Sequence, residues 1–261
     1  MILAARESFA AAIRRQRLPY DAEVEWIGTT TRGPFINTGI RATYNARVKM
    51  RFYIGDATAT WQAPFGGDQN TDGGTPSPTL NMSIYRNSSN RFGVAFGYGK
   101  TAGWGSFGTW AVGWYDLDYN IQYSSQWSRI WLNSTFTQTQ LPTQGTMRYP
   151  ILLFTKWRFV SDDPSYDWIK AANTSGAYTK FIGRVAWYQL YESGVLVQDL
   201  IPVRKAGVGY MYDRVSGSLL GNVGTGSFVY GTDVAGGGYE WLGCCSLRFA
   251  ARSTRLWKEA A

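Results

Sequence analysis

Across residues 47–54 the chain alternates without a break. Val48, Met50, Phe52 and Ile54 are apolar, and Arg47, Lys49, Arg51 and Tyr53 fall between them. A strand turns successive side chains to opposite faces, so this spacing predicts a strand with one buried face in an antiparallel sheet. Leu80, Met82 and Ile84 alternate in the same way with Asn81, Ser83 and Tyr85. Phe92, Val94, Phe96 and Tyr98 take one side of another strand, with Gly93, Ala95 and Gly97 on the other, where small residues let a second layer come close. Further strands are predicted at residues 35–40, 127–133 and 149–154.

The densest stretch is 181–231, which reads as four or five short strands joined by tight turns. Phe181, Val185, Trp187, Leu190, Val195, Val197, Leu200 and Ile201 supply its apolar positions. Gly194, Gly207, Gly217, Gly224 and Gly226 mark the turns, where positive φ is needed and a Cβ would clash. Residues 55–79 and 161–176 read as loops, the second with one helical turn at 166–172. Two stretches read as helical instead. Residues 2–17 are rich in Ala, place Ala5, Phe9, Ala12 and Ile13 on one face, and end on Arg14, Arg15 and Arg17 before Pro19. In the tail at 245–261, Arg248, Arg252, Arg255 and Lys258 recur near helical spacing. The expected organisation is a helical arm at 1–18, a sandwich at 19–233, and a Gly-rich joint with a basic tail at 234–261. About a dozen strands with no intervening helices argue for an all-β, two-sheet antiparallel sandwich over a parallel α/β fold.

Composition agrees. The chain of 261 residues holds 30 Gly, 12 Trp, 17 Tyr and 13 Phe, and only 17% of it is charged. Its formal net charge is +8, but the Lys and Arg residues are scattered except at the two ends, and no motif for specific nucleic-acid recognition stands out. No run approaches the roughly 20 apolar residues of a membrane span, and no secretory leader is read at residues 2–7. Cys244 and Cys245 are adjacent, which disfavours a bond between them and gives no metal spacing.

Two separated segments resemble a known family. One runs through Leu18-Pro19-Tyr20, Glu25-Trp26-Ile27 and Phe35-Ile36-Asn37-Thr38-Gly39-Ile40. The other holds Phe181-Ile182-Gly183-Arg184, Leu200-Ile201-Pro202, Gly209-Tyr210-Met211-Tyr212-Asp213 and Gly224-Thr225-Gly226-Ser227-Phe228. Both are similar to the opening and closing motifs of concanavalin A-like (laminin-G-like) jelly-roll domains of gut bacterial surface proteins, prophages and phage virions. The resemblance implies a jelly roll in which the 35–40 and 224–228 edges meet, to which the residue pattern adds the short helical extensions at both ends. It specifies architecture and leaves activity open.

With no histidine in the chain, Ser-His-Asp and Cys-His nucleophile systems and His-based zinc sites are excluded. The Glu-x-Asp-x-x-Glu arrangement of β-glucan hydrolases of this fold is absent, and the nearest carboxylate pair, Asp116 and Asp118, reads as a solvated turn. Asp68, Asn70 and Asp72 with Gly73 match the first half of a calcium loop, yet Thr79 stands where its bidentate carboxylate belongs. Calcium is thus the one cofactor with a candidate site, and a plain polar loop is the simpler reading. Trp104, Trp110 and Trp114 lie in a Gly-rich segment that could form a sugar-stacking platform, whereas most other aromatics suit a core or an interface. Asn81, Asn87, Asn133 and Asn173 sit in glycosylation sequons that read as chance.

The leading expectation is a non-enzymatic virion structural and adhesion protein: a capsid decoration, head-fibre or tail-associated subunit. It would assemble with itself and with other virion proteins through Phe9, Ile13, Arg14 and Arg15 in the arm and Arg248, Arg252, Arg255 and Trp257 in the tail. The alternative is a carbohydrate-binding module on a bacterial surface that meets host or environmental glycans. A glycoside hydrolase is the third and weakest reading.

Overall fold

The computed structural model describes residues 16–31, 33–59, 62–67, 80–98, 103–122, 127–140, 147, 150–156, 181–234 and 239–240. Among them are nineteen strands and no helix. In chain order these are β1 (Gln16–Arg17), β2 (Ala22–Glu23), β3 (Ile27–Thr29), β4 (Ile36–Asn37), β5 (Ala46–Ile54), β6 (Phe65–Gly67), β7 (Leu80–Arg86), β8 (Arg91–Tyr98), β9 (Gly103–Thr109) and β10 (Gly113–Gln122). They continue with β11 (Trp127–Leu132), β12 (Thr135–Gln140), β13 (Leu152–Leu153), β14 (Gly183–Glu192), β15 (Val195–Lys205), β16 (Val208–Asp213), β17 (Leu219–Leu220), β18 (Val229–Tyr230) and β19 (Tyr239–Glu240). The larger sheet runs β12-β11-β10-β5-β14-β15-β16-β17, and β2, β3 and β18 pair at its side. The second sheet runs β4-β13-β6-β7-β8-β9. All ladders are antiparallel, and the two sheets form a concanavalin A-like jelly-roll sandwich.

β5 is the centre of the larger sheet, paired with β10 on one side and β14 on the other. Its alternation is the predicted one: Val48, Met50, Phe52 and Ile54 are fully buried and the residues between them are partly exposed. Burying each such side chain is worth about 1.5–3 kcal/mol, so an out-of-register β5 would be costly. Against its inner face lies an aromatic cluster centred on Phe181, whose ring sits 6.1 Å from Phe52, 6.2 Å from Phe154 and 6.3 Å from Trp110. In the second sheet the ring of Tyr85 lies over its ladder partner Gly93, where a Cβ would meet that ring at 2.6 Å. The space beside Gly93 is thus taken by a ring of the neighbouring strand in the same sheet, where a second layer was expected.

The 181–231 stretch holds five strands. Its first two hairpins turn at Ser193-Gly194 and Ala206-Gly207, both with positive φ at each residue, the geometry that matches the twist of the flanking strands. The chain ends close the larger sheet, though not by the edges expected. The β4 ladder goes to β13, and the N-proximal and C-proximal ladder is β3 with β18. Within the 35–40 motif Phe35 bridges to the residues just before 224–228: its N–H donates to Asn222 Oδ1 at 3.0 Å, and its carbonyl accepts from Val223 N at 3.0 Å.

Three other expectations change. The 55–79 stretch contains β6, which pairs with β7 and β13. Gln16 and Arg17 are strand rather than the end of a helix, since their backbone pairs with Glu240 and Tyr239, and Pro19 disfavours helix just before it. Trp187 points away from the core. The rest of the arm and of the tail, with Phe9, Ile13, Arg14, Arg15, Arg248, Arg252, Arg255 and Trp257, lies outside the described residues, as do the 161–176 loop, Asp68, Asn70 and Asp72.

Candidate functional site

The two outer sheet faces differ. On the second sheet the outward Ser83 and Tyr85, together with Lys156, are buried. On the larger sheet the β15–β16 end is covered by Leu18 and Tyr20, which pack on Val203 and Tyr212. The outer face of β14, β5, β10 and β11 is partly exposed throughout. Its composition is unusual for a solvated face, because aromatic rings alternate with cations.

A row crosses the strands at one end. The guanidinium of Arg184 lies 4.1 Å from the ring centroid of Trp26 and 4.9 Å from that of Tyr53. Tyr53 lies 5.3 Å from Trp114, and Arg51, the next outward residue on β5, lies 5.5 Å from the same ring. Cation–ring contacts of this sort contribute about 0.5–2 kcal/mol each and hold flexible arginines in place. The register explains the row: Tyr53 faces both Arg184 and Trp114 across its two ladders. A bulge between Val185 and Trp187 sets the next row. It adds Ala186, so Val185 and Tyr188 both point inward while Arg184 and Trp187 both point outward. Trp187 then stands opposite Arg51.

Further along, Arg47 Nε donates to Asp118 Oδ1 at 2.7 Å, with a second bond from Nη2 to Oδ2, and Lys49 reaches the same carboxylate at 3.8 Å. Arg51 reaches Asp116 at 3.8 Å. The hydrogen bond to Asp118 raises the pKa of Arg47 above its ordinary value, so it stays a cation. Burial, with the negative charge of Asp199 second, pushes the Tyr191 phenol above the usual tyrosine value, so it stays neutral, and its O–H donates to Gln189 Oε1 at 3.0 Å. The ring of Trp131 packs at a tilt against Phe136, 4.9 Å between centroids, and Arg129 and Trp127 complete the β11 side of the face.

The three tryptophans of the sequence-derived platform do not come together. Trp110 is fully buried between the sheets, 4.9 Å from Phe92. It precedes β10 in a turn where alternation gives no side, and the core claims it. Trp104 belongs to β9 in the second sheet, opposite Ala95. Only Trp114 is on the open face. Asp116 and Asp118 are strand residues engaged by arginines, not a solvated turn. Trp26, Tyr53, Arg184 and Trp187 were missed as site residues. One signal was legible: Tyr53 shares the polar face of the alternating strand with Arg47, Lys49 and Arg51. Among the described residues no group of three or more acidic or thiol side chains could hold a metal ion.

No protein family and no curated protein matches the chain. Solved structures do. A Bacteroides ovatus protein described as a candidate carbohydrate-binding protein superposes with a TM-score of 0.50 at 8% identity, over 82% of this chain and 61% of that one. A heptameric SAP-like pentraxin from Limulus polyphemus gives 0.40 at 10% identity, over 66% of this chain and 76% of that one. The extracellular region of zebrafish Gpr126/Adgrg6 gives 0.41 at 12% identity, over 68% of this chain and 22% of that one. The first of these likenesses shows the fold.

Proposed function

We propose that the protein is a non-enzymatic carbohydrate-recognition module whose ligand lies across the open face of the larger sheet. The observation that carries this reading is the Trp26–Arg184–Tyr53–Trp114–Arg51 row. A sugar ring offers an apolar C–H face for aromatic rings and a rim of hydroxyls for charged and amide groups. The open face supplies both kinds of partner at neighbouring positions. The likeness in fold to the Bacteroides protein, described as carbohydrate-binding, agrees with this use. Asp116 and Asp118 are taken up by arginines, which leaves them as partners for hydroxyls and not as an acid–nucleophile pair.

This reverses the order of the sequence-based expectations, in which virion assembly came first. That role rests on the arm and the tail, and its rival status is decided by the same experiment. Wild-type protein on a glycan array, followed by calorimetry on the best ligand, should show binding that falls at least about tenfold in Trp114→Ala and in Trp187→Ala. Light scattering should show the face unoccupied by a second copy. Unchanged binding in both variants, or a symmetric oligomer that buries Trp187, would remove the reading.

A further inference from the structure

The open face carries more positive charge than its own carboxylates answer. Arg47, Lys49, Arg51, Arg129 and Arg184 point outward from it, against Asp116 and Asp118. Asp118 takes Arg47 and Lys49, and Asp116 takes Arg51. Arg184 and Arg129 have no carboxylate partner among the described residues. Arg184 is held on two aromatic faces, which fixes the plane of its guanidinium and leaves its N–H groups open to an incoming acceptor. A planar fork fixed in this way is suited to an oxyanion, because two parallel N–H groups match the two oxygens of a carboxylate or a sulfate.

We infer that the ligand is an acidic polysaccharide, one bearing carboxylate or sulfate groups, laid diagonally over the face with Arg184 and Arg129 as its two anionic anchor points. This rests on the carbohydrate reading above and narrows it to a charge class. The span follows from the register. Arg184 is in the row of Tyr53 and Arg129 in the row of Arg47, three strands away. Strand spacing and rise put the anchors roughly 14 Å apart across the sheet and 20 Å along it. That separation fits a chain of several sugars and is far too long for one. Tyr53 and Trp187 beside Arg184, and Trp131 beside Arg129, would stack on the sugars next to each anchor.

The test is calorimetry of the full-length protein against three polymers of similar length: polygalacturonate, dextran sulfate and neutral dextran, with a single-stranded DNA oligomer as a fourth arm. Either acidic glycan should bind at least about tenfold more tightly than dextran at low salt, with the gap closing as salt rises. Whichever of the two binds better identifies the oxyanion. Arg184→Gln and Arg129→Gln should each lose about tenfold on that ligand. Arg184→Lys should lose nearly as much, since charge without the fork is not enough, and Lys205→Gln on a distant turn should lose nothing. Thermal melts of each variant separate loss of binding from loss of fold. Tight binding of dextran that depends on Trp187 but not on Arg184 would overturn the acidic-ligand inference and keep the carbohydrate reading. Preference for DNA over every glycan would overturn both.

Discussion

At the scale of single residues, Trp110 and Trp114 show how far four positions can move a side chain. Both belong to the same Trp-rich stretch, but Trp110 is fully buried against Phe92 and Phe181, while Trp114 lies outside on Tyr53. Truncating the first removes a large core volume and truncating the second removes a surface contact. Trp110→Ala should therefore cost roughly 3–5 kcal/mol in urea unfolding, and Trp114→Ala about 1 kcal/mol or less. Equal losses would mean that the two side chains share one environment. Asp213 has a similar local logic. Its carboxylate accepts from Asp199 N at 3.0 Å, Val215 N at 3.1 Å and Ser216 Oγ at 2.7 Å, which fixes the turn after β16. The Asp of the Gly209–Asp213 motif is thus a folding residue.

At the scale of elements, legibility depended on length and on turn chemistry. β5 is long and strictly alternating, so its position and both its faces were readable. The hairpins of residues 183–213 were readable because Gly marked their turns. β6 is three residues inside a loop-like sequence, too short for any period to show, whereas β13 falls inside the strand predicted at 149–154. The outward turn of Trp187 depends on a bulge, which shifts the period by one residue and leaves no mark in composition. The site was the least readable part, because Trp26, Tyr53, Trp114 and Arg184 come from four separate stretches that only strand order brings together. The second hairpin carries a testable strain. Ala206 has φ 49, where a Cβ costs about 1–2 kcal/mol, against roughly 0.5–1 kcal/mol for the freedom a glycine loses on folding. The steric strain outweighs the lost freedom, so Ala206→Gly should raise stability by roughly 0.5 kcal/mol. A drop in the denaturation midpoint would show that the turn is relaxed as it stands.

At the scale of the molecule, closure is distributed between sequence extremes. β3 pairs with both β14 and β18, and Phe35 is bonded to Asn222 and Val223. A chain stopped after Gly221 keeps the β3–β14 ladder and all of β5 to β17, yet loses the β3–β18 ladder and both Phe35 bonds together. It should lose its near-ultraviolet dichroism and its cooperative unfolding, and retention of both would show that the closing ladder is dispensable. The short β1–β19 ladder, which sets Arg17 opposite Tyr239, has a different consequence. The chain enters and leaves the sandwich at one spot, so the domain is topologically a plug. It can be spliced into a surface loop of another protein, or its ends can be sealed and reopened at the exposed Ser88–Ser89 tip, without threading a single strand differently.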